Sequence, residues 1–413
     1  MDHVIVLMAI QGARRMSVKK EALPLTGIRV LEFCHTIMGP SAGVLLADLG
    51  CDVIKVEPAD GADRTRRMAG FASGFFYAFN RNKRAIGIDL KTADGRAVVY
   101  KLAQSADVLI ENYAPGTMDK LGCGYAELAG LNPRLIYCQL KGYLSGPYEN
   151  RPALDEVVQF HAGLAYMTGP RGRPLRAGAS VIDIMGGMFA VIGVQAALRE
   201  RETTGKGQLV RSALFESCAF LMVPQLAGEA LTGNESPPFP ERRHAWAIYE
   251  PYDCEDGSQI FLSITSDGQW RRFCERFGRR DLVDDPKLAT NDLRTKNRDD
   301  IVPIVKQIVA RHTLAEMMEI AEAIEIAFAP VARPHDLFDD PHLNAGHMID
   351  IEFPGPKTVG IPGLPLEMGA HEFGVRRQTP KTAEHTREVL RELGYSMEEI
   401  DRLAQTGAVA CGT

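Results

Sequence analysis

The N-terminal half of the chain alternates short apolar runs with helical segments. From Gly27 it reads GIRVLEF, a turn HTIMGP that contains Gly39 and Pro40, the helical SAGVLLADLG and a second apolar run, CDVIKVEP. Apolar runs that are bounded by Gly and Pro and separated by a helix are typical of buried strands in a parallel sheet. The pattern therefore predicts a βαβ unit at the start of the fold.

The same alternation continues through the first half of the chain. A helical period in RAVVYKLAQSA is followed by strand patterns in DVLIENY and NPRLIYCQLKGY. We therefore predict an α/β fold class with a wound, Rossmann-like parallel sheet. Residues 184–201 are small and apolar nearly all round and end in basic residues, which predicts a buried helix that Gly205 and Gly207 terminate.

A Pro-rich break, NESPPFPERR, is the clearest change of composition along the chain and a candidate linker. Beyond it, WAIYEPYDCEDGSQIFLSI predicts a hairpin with Asp256 and Gly257 at its turn. The helical patterns WRRFCERFG and IVPIVKQIVARHT follow. The second half thus predicts a smaller α+β unit, followed by a strand-rich piece at about 348–368 and a charged C-terminal helix.

Composition narrows the class of protein. A chain of 413 residues, 45% hydrophobic and 24% charged, predicts two or three compact units without a membrane-spanning segment. The net charge of −6 argues against nucleic-acid binding by broad phosphate neutralisation. Eight cysteines without a CxxC pair or metal-ligand spacing indicate reduced, cytoplasmic thiols. The apolar run Val4–Ile10 lacks the basic front of a secretory signal, so we expect an unstructured lead.

Basic residues concentrate in the window from Arg64 to Lys91. Asp89 is the only acid in this window, which carries seven cations: Arg64, Arg66, Arg67, Arg81, Lys83, Arg84 and Lys91. Such a local field suits a polyphosphate ligand, and several of these residues follow the second strand, where wound α/β sheets bind ligands. The alternative is a basic face whose cations pair with acids elsewhere in the fold.

Asp183 is the only acid between Glu156 and Glu200, and it lies just before a predicted helix. One interpretation is a plain helix N-cap. The other is a reactive carboxylate, with Gly186 and Gly187 allowing a ligand close to the backbone and offering N–H groups to a developing oxyanion. The position of Asp183 leaves both interpretations open.

The remaining motifs carry little information about function. Asp155 and Glu156 begin a helical segment, for which capping is the favoured interpretation. His35 and His244 have no Ser, Cys or carboxylate at an informative spacing. The sequence also lacks GxGxxG, a Walker loop, GxSxG and HExxH, and HEFGV at 371 has Val where a zinc motif needs His.

Taken in order, several motifs resemble the family III CoA-transferases, the CaiB/BaiF group that also includes acyl-CoA racemases. The resemblance runs from about Gly27 to Leu393. It rests on GIRVLEFCHTIMGP, LLADLGCDVIKVEP, FNRNKRAIGIDLK, ADVLIENYAPGTMDKLG, NPRLIYCQLKGYLSGPY, GASVIDIMGGM, ALRERETTGKGQ and EHTREVLRELG.

The resemblance implies a mechanism and a set of site residues. Asp183 would be the nucleophile, which forms a mixed anhydride and then an aspartyl-CoA thioester. Coenzyme A and acyl-CoA would be substrates, with no tightly bound cofactor and no metal. The implied CoA contacts are Ile88, Lys91, Asn112, Tyr113, Ala114 and Lys120. Since Pro58 stands where one branch of the family has arginine, we expect Arg64 and Arg66 to contact phosphate instead.

The resemblance also implies an interlocked homodimer of two-lobed chains. The expected division of this chain is 1–20 as a flexible lead, 21–225 as the first part of the large CoA-binding domain, 226–240 as a linker, 241–340 as the small domain and 341–413 as the return to the large domain. The expected partners are acyl-CoA, a carboxylic acid and a second copy of the chain, with neither nucleic acid nor membrane.

The leading hypothesis is a CoA-transferase acting between carboxylic acids, with dicarboxylates such as succinate as donor. An acyl-CoA racemase is disfavoured because Leu154 stands where that branch has its catalytic His. A nicotinamide-dependent dehydrogenase, suggested by Glu57 at the end of the second strand, lacks GxGxxG. A non-catalytic CoA-binding protein is a further alternative. Acid specificity is expected from residues around Asp183, with Arg176 and His244 as candidates.

Overall fold

The computed structural model describes residues 22–61, 63–241, 245–355 and 357–412. The predicted N-terminal lead and His244 lie outside the described residues. The described part of the chain divides into two compact units. The large unit holds the residues up to Pro240 and those from Ala345 onward, and the small unit is Glu241–Asn344.

Strands of the described residues form three sheets. The strands are β1 Arg29–Phe33, β2 Asp52–Pro58, β3 Lys83–Ile88, β4 Val108–Glu111, β5 Ile136–Lys141, β6 Leu209–Ala213, β7 Ile248–Asp253, β8 Gln259–Ile264, β9 Ala327–Pro330, β10 Met348–Phe353, β11 Lys357–Pro362 and β12 Val409–Ala410. The large unit is built on a seven-stranded sheet of order β12-β3-β2-β1-β4-β5-β6. Its pairings are parallel except for β12, which runs antiparallel to β3. The predicted α/β class with a wound parallel sheet is confirmed.

Helices cover both faces of this sheet and build most of the small unit. They are α1 Met38–Asp48, α2 Phe75–Phe79, α3 Ala93–Ser105, α4 Thr117–Lys120, α5 Tyr125–Leu131, α6 Asp155–His161, α7 Leu164–Thr168, α8 Val181–Thr204, α9 Leu214–Leu221, α10 Val223–Thr232, α11 Asp267–Arg276, α12 Arg280–Asp284, α13 Asn291–Lys296, α14 Arg298–Val309, α15 Leu314–Ala323, α16 Pro341–Asn344, α17 Thr386–Glu392 and α18 Met397–Gln405. Short 3₁₀ turns lie at Arg64–Arg67, Gly70–Ala72, Phe239–Glu241, Pro286–Leu288 and Pro334–Asp339.

The two faces of the large sheet bury separate cores. Successive residues of β1 point to opposite faces, so Val30 lies in one core and Leu31 in the other. On β2, Val53 lies in the same core as Val30, and Ile54 lies in the same core as Leu31. Burial on both faces explains why these strands read as continuous apolar runs rather than as alternating patterns.

Helix α8 packs closely against α1 because of two glycines. A Cβ at Gly186 would lie 2.5 Å from Cε of Met38, and a Cβ at Gly187 would lie 2.2 Å from Oγ of Ser41. The expectation that these glycines open the backbone to a ligand is therefore wrong, because their faces are filled by α1. Helix α8 is also long and apolar enough to cross a membrane by length and composition, and in this fold it packs against α1, β5 and β6.

The Pro-rich break is shorter than the pattern suggests. Residues 226–232 of the expected linker belong to α10, which ends at Gly233 in a left-handed conformation with φ of 70°. Apolar residues spaced along this segment favour a helix over an extended linker. The change between units comes at 240/241, and the large unit resumes at Ala345.

The small unit has its own sheet and core. Strands β7, β8 and β9 form an antiparallel sheet, and Gly257 makes the β7–β8 turn with φ of 78°. Helices α11, α14 and α15 supply buried residues such as Phe273, Val305 and Met317 to the core beside this sheet. In the large unit, β10 and β11 form a separate antiparallel pair.

Candidate active site

The carboxyl ends of the parallel strands open onto a group of neighbouring cavities that we call the trough. It consists of three adjoining cavities, the Asp183 pocket of about 380 Å³, a middle cavity of about 640 Å³ and the Lys91 cavity of about 230 Å³. His35 and Thr36 line both of the first two, and Pro58 and Tyr113 line both of the last two. This edge, where β1 and β4 are neighbours, is the position at which wound α/β sheets bind ligands.

Asp183 is half-buried in the wall of the Asp183 pocket. It is the third residue of α8, and Ser180 holds the N-cap position, so the interpretation of Asp183 as the helix cap is wrong. Burial and, after it, the negative charge of Asp155 together raise the pKa of Asp183 to about 7, against the opposing effect of Arg176. At neutral pH this carboxyl group is therefore close to half ionised.

Asp155 fixes the start of α8 from a neighbouring helix. Its carboxylate accepts hydrogen bonds from the backbone N–H of Ile182 at 2.9 Å, from that of Asp183 at 3.0 Å and from Nε2 of Gln159 at 2.5 Å. Gln159 Oε1 in turn accepts from the N–H of Ala177 at 2.8 Å. The expected capping role of Asp155 is thus performed on α8 rather than on its own helix, and it orients the backbone that carries Asp183.

The turn between β1 and α1 forms the shared wall of the Asp183 pocket and the middle cavity. Asn112, directly after β4, clamps this turn, since its Oδ1 accepts from the N–H of His35 at 3.0 Å and its Nδ2 donates to the carbonyl of His35 at 2.8 Å. Thr36 has φ of 66°, and its N–H donates to Oγ1 of Thr65 at 2.9 Å. A non-glycine residue keeps such a conformation only when its surroundings enforce it, so these bonds fix the wall.

A buried ionic network lies beneath the trough. Lys55 bonds Glu32 at 3.2 Å and Asp63 at 3.0 Å, and Lys83 bonds Glu32 at 2.6 Å. Lys55 also donates to the carbonyl of Cys34 at 2.6 Å, which ties the network to the turn after β1. Burial lowers the pKa of Lys83 to about 8 against the attraction of Glu32. The network acts as a rigid floor, because removing one partner would leave a buried charge unpaired.

This network and three further ion pairs account for most of the basic window. The pairs are Arg66–Glu57, Arg81–Asp48 and Arg84–Asp52, each at 2.6 Å. The interpretation of the whole window as one phosphate-binding surface is therefore too broad. Arg64 and Arg67 are exposed and line the middle cavity, and Lys91 is exposed and lines the Lys91 cavity.

The structure brings most of the predicted CoA contacts to the trough. Ile88 and Lys91 line the Lys91 cavity, Tyr113 lines that cavity and the middle one, and Asn112 lines the Asp183 pocket. Ala114 and Lys120 lie in the segment after β4, outside the described lining of the three cavities. Arg66 is held by Glu57 and donates to the carbonyl of Pro380 at 2.8 Å, so a phosphate would have to compete with these partners.

Sequence reasoning missed Lys141, which lines the Asp183 pocket as the last residue of β5. Lys141 bonds Oε1 of Glu111 at 2.5 Å and the carbonyl of Tyr113 at 3.2 Å. Its place at the carboxyl end of a predicted parallel strand is the signal by which it could have been found. His35 also lines this pocket, and burial lowers the pKa of its imidazole, so the ring is neutral at pH 7.

A further cavity lies elsewhere in the large unit. It measures about 760 Å³ and is lined by Asp48, Arg81 and residues between 345 and 374. None of these residues lines the Asp183 pocket. The trough combines a carboxyl group of raised pKa, that of Asp183, with the exposed cations Arg64, Arg67 and Lys91.

Comparison with known proteins shows that this chain is similar to CoA-transferases. The family model for CoA-transferase family III matches residues 25–386. The chain is 34% identical to a succinate–glutarate CoA-transferase of Agrobacterium fabrum, over 92% of this chain and 97% of that protein. It is 33% identical to the beta subunit of a succinyl-CoA–L-malate CoA-transferase of Chloroflexus aurantiacus, over 92% of this chain and 97% of that subunit.

A solved structure has the same fold. The crystal structure of a CAIB/BAIF family protein from Brucella suis superposes with a TM-score of 0.82 at 31% identity, covering 90% of this chain and all of that chain. The similarity therefore extends over both described units rather than over the α/β sheet alone.

Proposed function

The chain belongs to CoA-transferase family III and is an enzyme that transfers CoA, and from this premise we propose that Asp183 is its nucleophile. The observation that carries the proposal is the position of Asp183 in the first of three adjoining cavities, the last of which holds Lys91. An extended acyl-CoA fits this arrangement, with the thioester at Asp183 and the phosphates toward Arg64, Arg67 and Lys91.

The proposed reaction has two symmetrical halves. A carboxylate oxygen of ionised Asp183 attacks the thioester carbonyl of the donor, the carbon–sulfur bond breaks, and CoA thiolate leaves behind an acyl-aspartyl anhydride. The thiolate then attacks the aspartyl carbonyl, which releases the donor acid as a carboxylate and forms an aspartyl-CoA thioester. The acceptor carboxylate attacks this thioester, and the released thiolate finally attacks the acceptor carbonyl, which frees Asp183 and the new acyl-CoA.

The environment of Asp183 supports this role. A carboxylate with a pKa of about 7 is more basic, and hence a better oxygen nucleophile, than one at its ordinary value of 3.8. Each half-reaction exchanges one anion for another, so no proton donor is required. The side chain of Leu154, which lines the pocket and is 70% exposed, is neither an acid nor a base, and this speaks against racemisation.

We further propose a short carboxylic acid as co-substrate and no tightly bound cofactor. The relatives in Agrobacterium fabrum and Chloroflexus aurantiacus are named for succinate, glutarate and malate. A dicarboxylate such as succinate is therefore the first acid to assay. Of the predicted CoA contacts, Ile88, Asn112 and Tyr113 line the trough and support a single CoA along it.

An interlocked homodimer in the cytoplasm completes the proposal. Ile184, Met188 and Ile192 form an exposed apolar stripe along α8, at spacings of four residues, and a second copy would cover it. The eight cysteines are free, and seven of them are buried, as suits a reducing compartment. Light scattering of the purified protein measures the mass and checks the dimer.

Trapping the covalent intermediate tests the nucleophile. The protein is incubated with succinyl-CoA and hydroxylamine, which converts an aspartyl anhydride or thioester into a hydroxamate, and its peptides are analysed by mass spectrometry. We expect modification of Asp183 that depends on acyl-CoA and is lost in Asp183→Asn. Acyl-CoA-dependent modification at another carboxylate, such as Asp155, would contradict the assignment.

A further inference from the structure

The Asp183 pocket contains a cation, Arg176, that the transfer chemistry does not use. Arg176 lies between α7 and α8 and lines the pocket. Its Nε donates to the carbonyl of Ala177 at 2.9 Å, and its Nη1 bonds Oε1 of Glu156. Its charge acts on Asp183, whose pKa it lowers. Arg176 is therefore a cation within electrostatic reach of the reacting group.

The ion pair of Arg176 differs from that of the other pocket cation, Lys141. The partner of Lys141 is Glu111, whose side chain is 1% exposed, so taking Lys141 away would leave a buried carboxylate unpaired. The partner of Arg176 is Glu156, whose side chain is 55% exposed, and Arg176 itself is 31% exposed. Glu156 regains its hydration when it is released, and ion pairs of this kind contribute little to stability. Arg176 can thus exchange its carboxylate partner at small cost.

The rest of the pocket tells what kind of carboxylate would take the place of Glu156. Apolar side chains form much of the lining, among them Met38, Met68 and Leu154, and these suit a short methylene chain. Asp155 and Asp183 would repel a free carboxylate that lacked a cation of its own. Lys141 is held by buried Glu111, so an acid that reacts at Asp183 through one carboxyl group finds its exchangeable cation for a second carboxylate at Arg176.

We propose that Arg176 is a specificity-determining residue that binds the second carboxylate of a dicarboxylic substrate, and that Glu156 occupies this site when no substrate is bound. The proposal rests on Asp183 being the nucleophile. An Arg guanidinium binds a carboxylate through two parallel N–H groups, which Lys does not reproduce. Substrate binding therefore exchanges one carboxylate for another on Arg176, and Glu156 turns to solvent.

The test compares two acids of equal chain length that differ in one carboxyl group. Exchange of isotopic label is measured between succinate and succinyl-CoA, and separately between butyrate and butyryl-CoA, and the ratio of the two kcat/KM values gives the selectivity. For wild type we expect the ratio to favour succinate. In Arg176→Gln we expect the ratio to fall about 100-fold, since a charge-assisted bidentate contact is lost.

Two further variants separate binding from structure. Arg176→Lys keeps the charge and should restore part of the selectivity, with a higher KM for succinate than wild type. Glu156→Gln removes the competing carboxylate and should lower the KM for succinate by about two- to fivefold. If Arg176→Gln does not fold, Glu156→Gln decides, because it tests the same exchange from the other side.

The outcomes separate this inference from the proposed function. A wild-type ratio near unity, or a ratio that changes less than about threefold in Arg176→Gln, overturns the role of Arg176. A KM for succinate that rises in Glu156→Gln also contradicts it. Label exchange that survives in Asp183→Asn overturns the nucleophile instead, whatever the selectivity of the Arg176 variants.

Discussion

The two ends of the trough use charge in opposite ways. At the Asp183 end, the proposed nucleophile is half-buried, and burial together with Asp155 raises its pKa to about 7. At the other end, Lys91 is exposed, and water screens its charge. One group in a low-dielectric site can thus govern a reaction, whereas a solvated cation contributes a small, salt-dependent share of binding. Variants at the two ends should therefore differ greatly in the size of their effects.

The largest effect is expected at Asp183 itself. Asp183→Asn keeps the shape of the side chain and removes the nucleophilic oxygen anion, so we expect CoA transfer to fall by about 10⁴-fold or more. Isotope exchange between an acyl-CoA and its free acid measures the rate. Asp183→Ala controls for slow deamidation of Asn back to Asp. Isotope exchange near the wild-type rate in both variants would show that CoA transfer does not depend on the carboxylate of Asp183.

The next effect is a dependence of activity on pH. Because only ionised Asp183 attacks, kcat/KM should level off above about pH 8 and fall about tenfold per pH unit below pH 7. Asp155→Asn removes the second largest cause of the raised pKa, so the profile should move to lower pH while burial keeps the pKa above 3.8. A profile that is flat from pH 5 to 8, or one that Asp155→Asn moves upward, would contradict this account.

The raised pKa of Asp183 should also affect the free energy of unfolding, which is expected to fall with rising pH while activity increases. The pKa of Asp183 is higher in the folded state than its ordinary value of 3.8, so the folded state binds more protons between about pH 4 and pH 7. Stability conferred by this group is therefore lost as the pH rises through that range. At pH 8, Asp183→Asn should exceed wild type by about 1–2 kcal/mol in free energy of unfolding, an amount discounted for partial exposure.

Urea unfolding of both proteins at pH 5 and pH 8 measures this difference. The advantage of Asp183→Asn should be larger at pH 8 than at pH 5. An advantage that is equal at the two pH values would mean that Asp183 is not shifted in the folded state.

The smallest effect is expected at the Lys91 end. Lys91→Gln removes one solvent-exposed cation and should weaken CoA binding about three- to tenfold at low salt, with less difference at high salt. Titration calorimetry at two salt concentrations measures the change. Lys206, a lysine that is also exposed and lies in the loop after α8 outside the lining of the trough, provides the matched control Lys206→Gln. Equal effects of the two substitutions would place the phosphates of CoA elsewhere.

Much of the fold was accessible from local patterns. The predicted βαβ unit appears as β1, α1 and β2, and the hairpin turn at Asp256–Gly257 lies between β7 and β8. These elements depend on residues close in sequence, whose periodicity and turn chemistry can be read directly. The extent of α10 was missed because the prolines that follow it dominated the composition of that region.

The candidate site was only partly accessible. The motifs named Asp183 and several residues that line the trough, but position alone left Asp183 open between helix cap and nucleophile. The cationic window misled because its acidic partners come from other elements. Arg84, for example, pairs with Glu388 and Glu392 of α17, residues that no local pattern connects with it.

The sequence by itself determined the order of strands and helices, the family resemblance and the candidate nucleophile, because these follow from neighbouring residues and from motifs. Only the tertiary structure decided which charges are available. Asp155 on α6 accepts hydrogen bonds from the N–H groups of Ile182 and Asp183 on α8. Lys83 forms an ion pair with Glu32 and is therefore not available to a ligand in the trough. Ion pairing and desolvation depend on distances through space, and these are set when the chain folds.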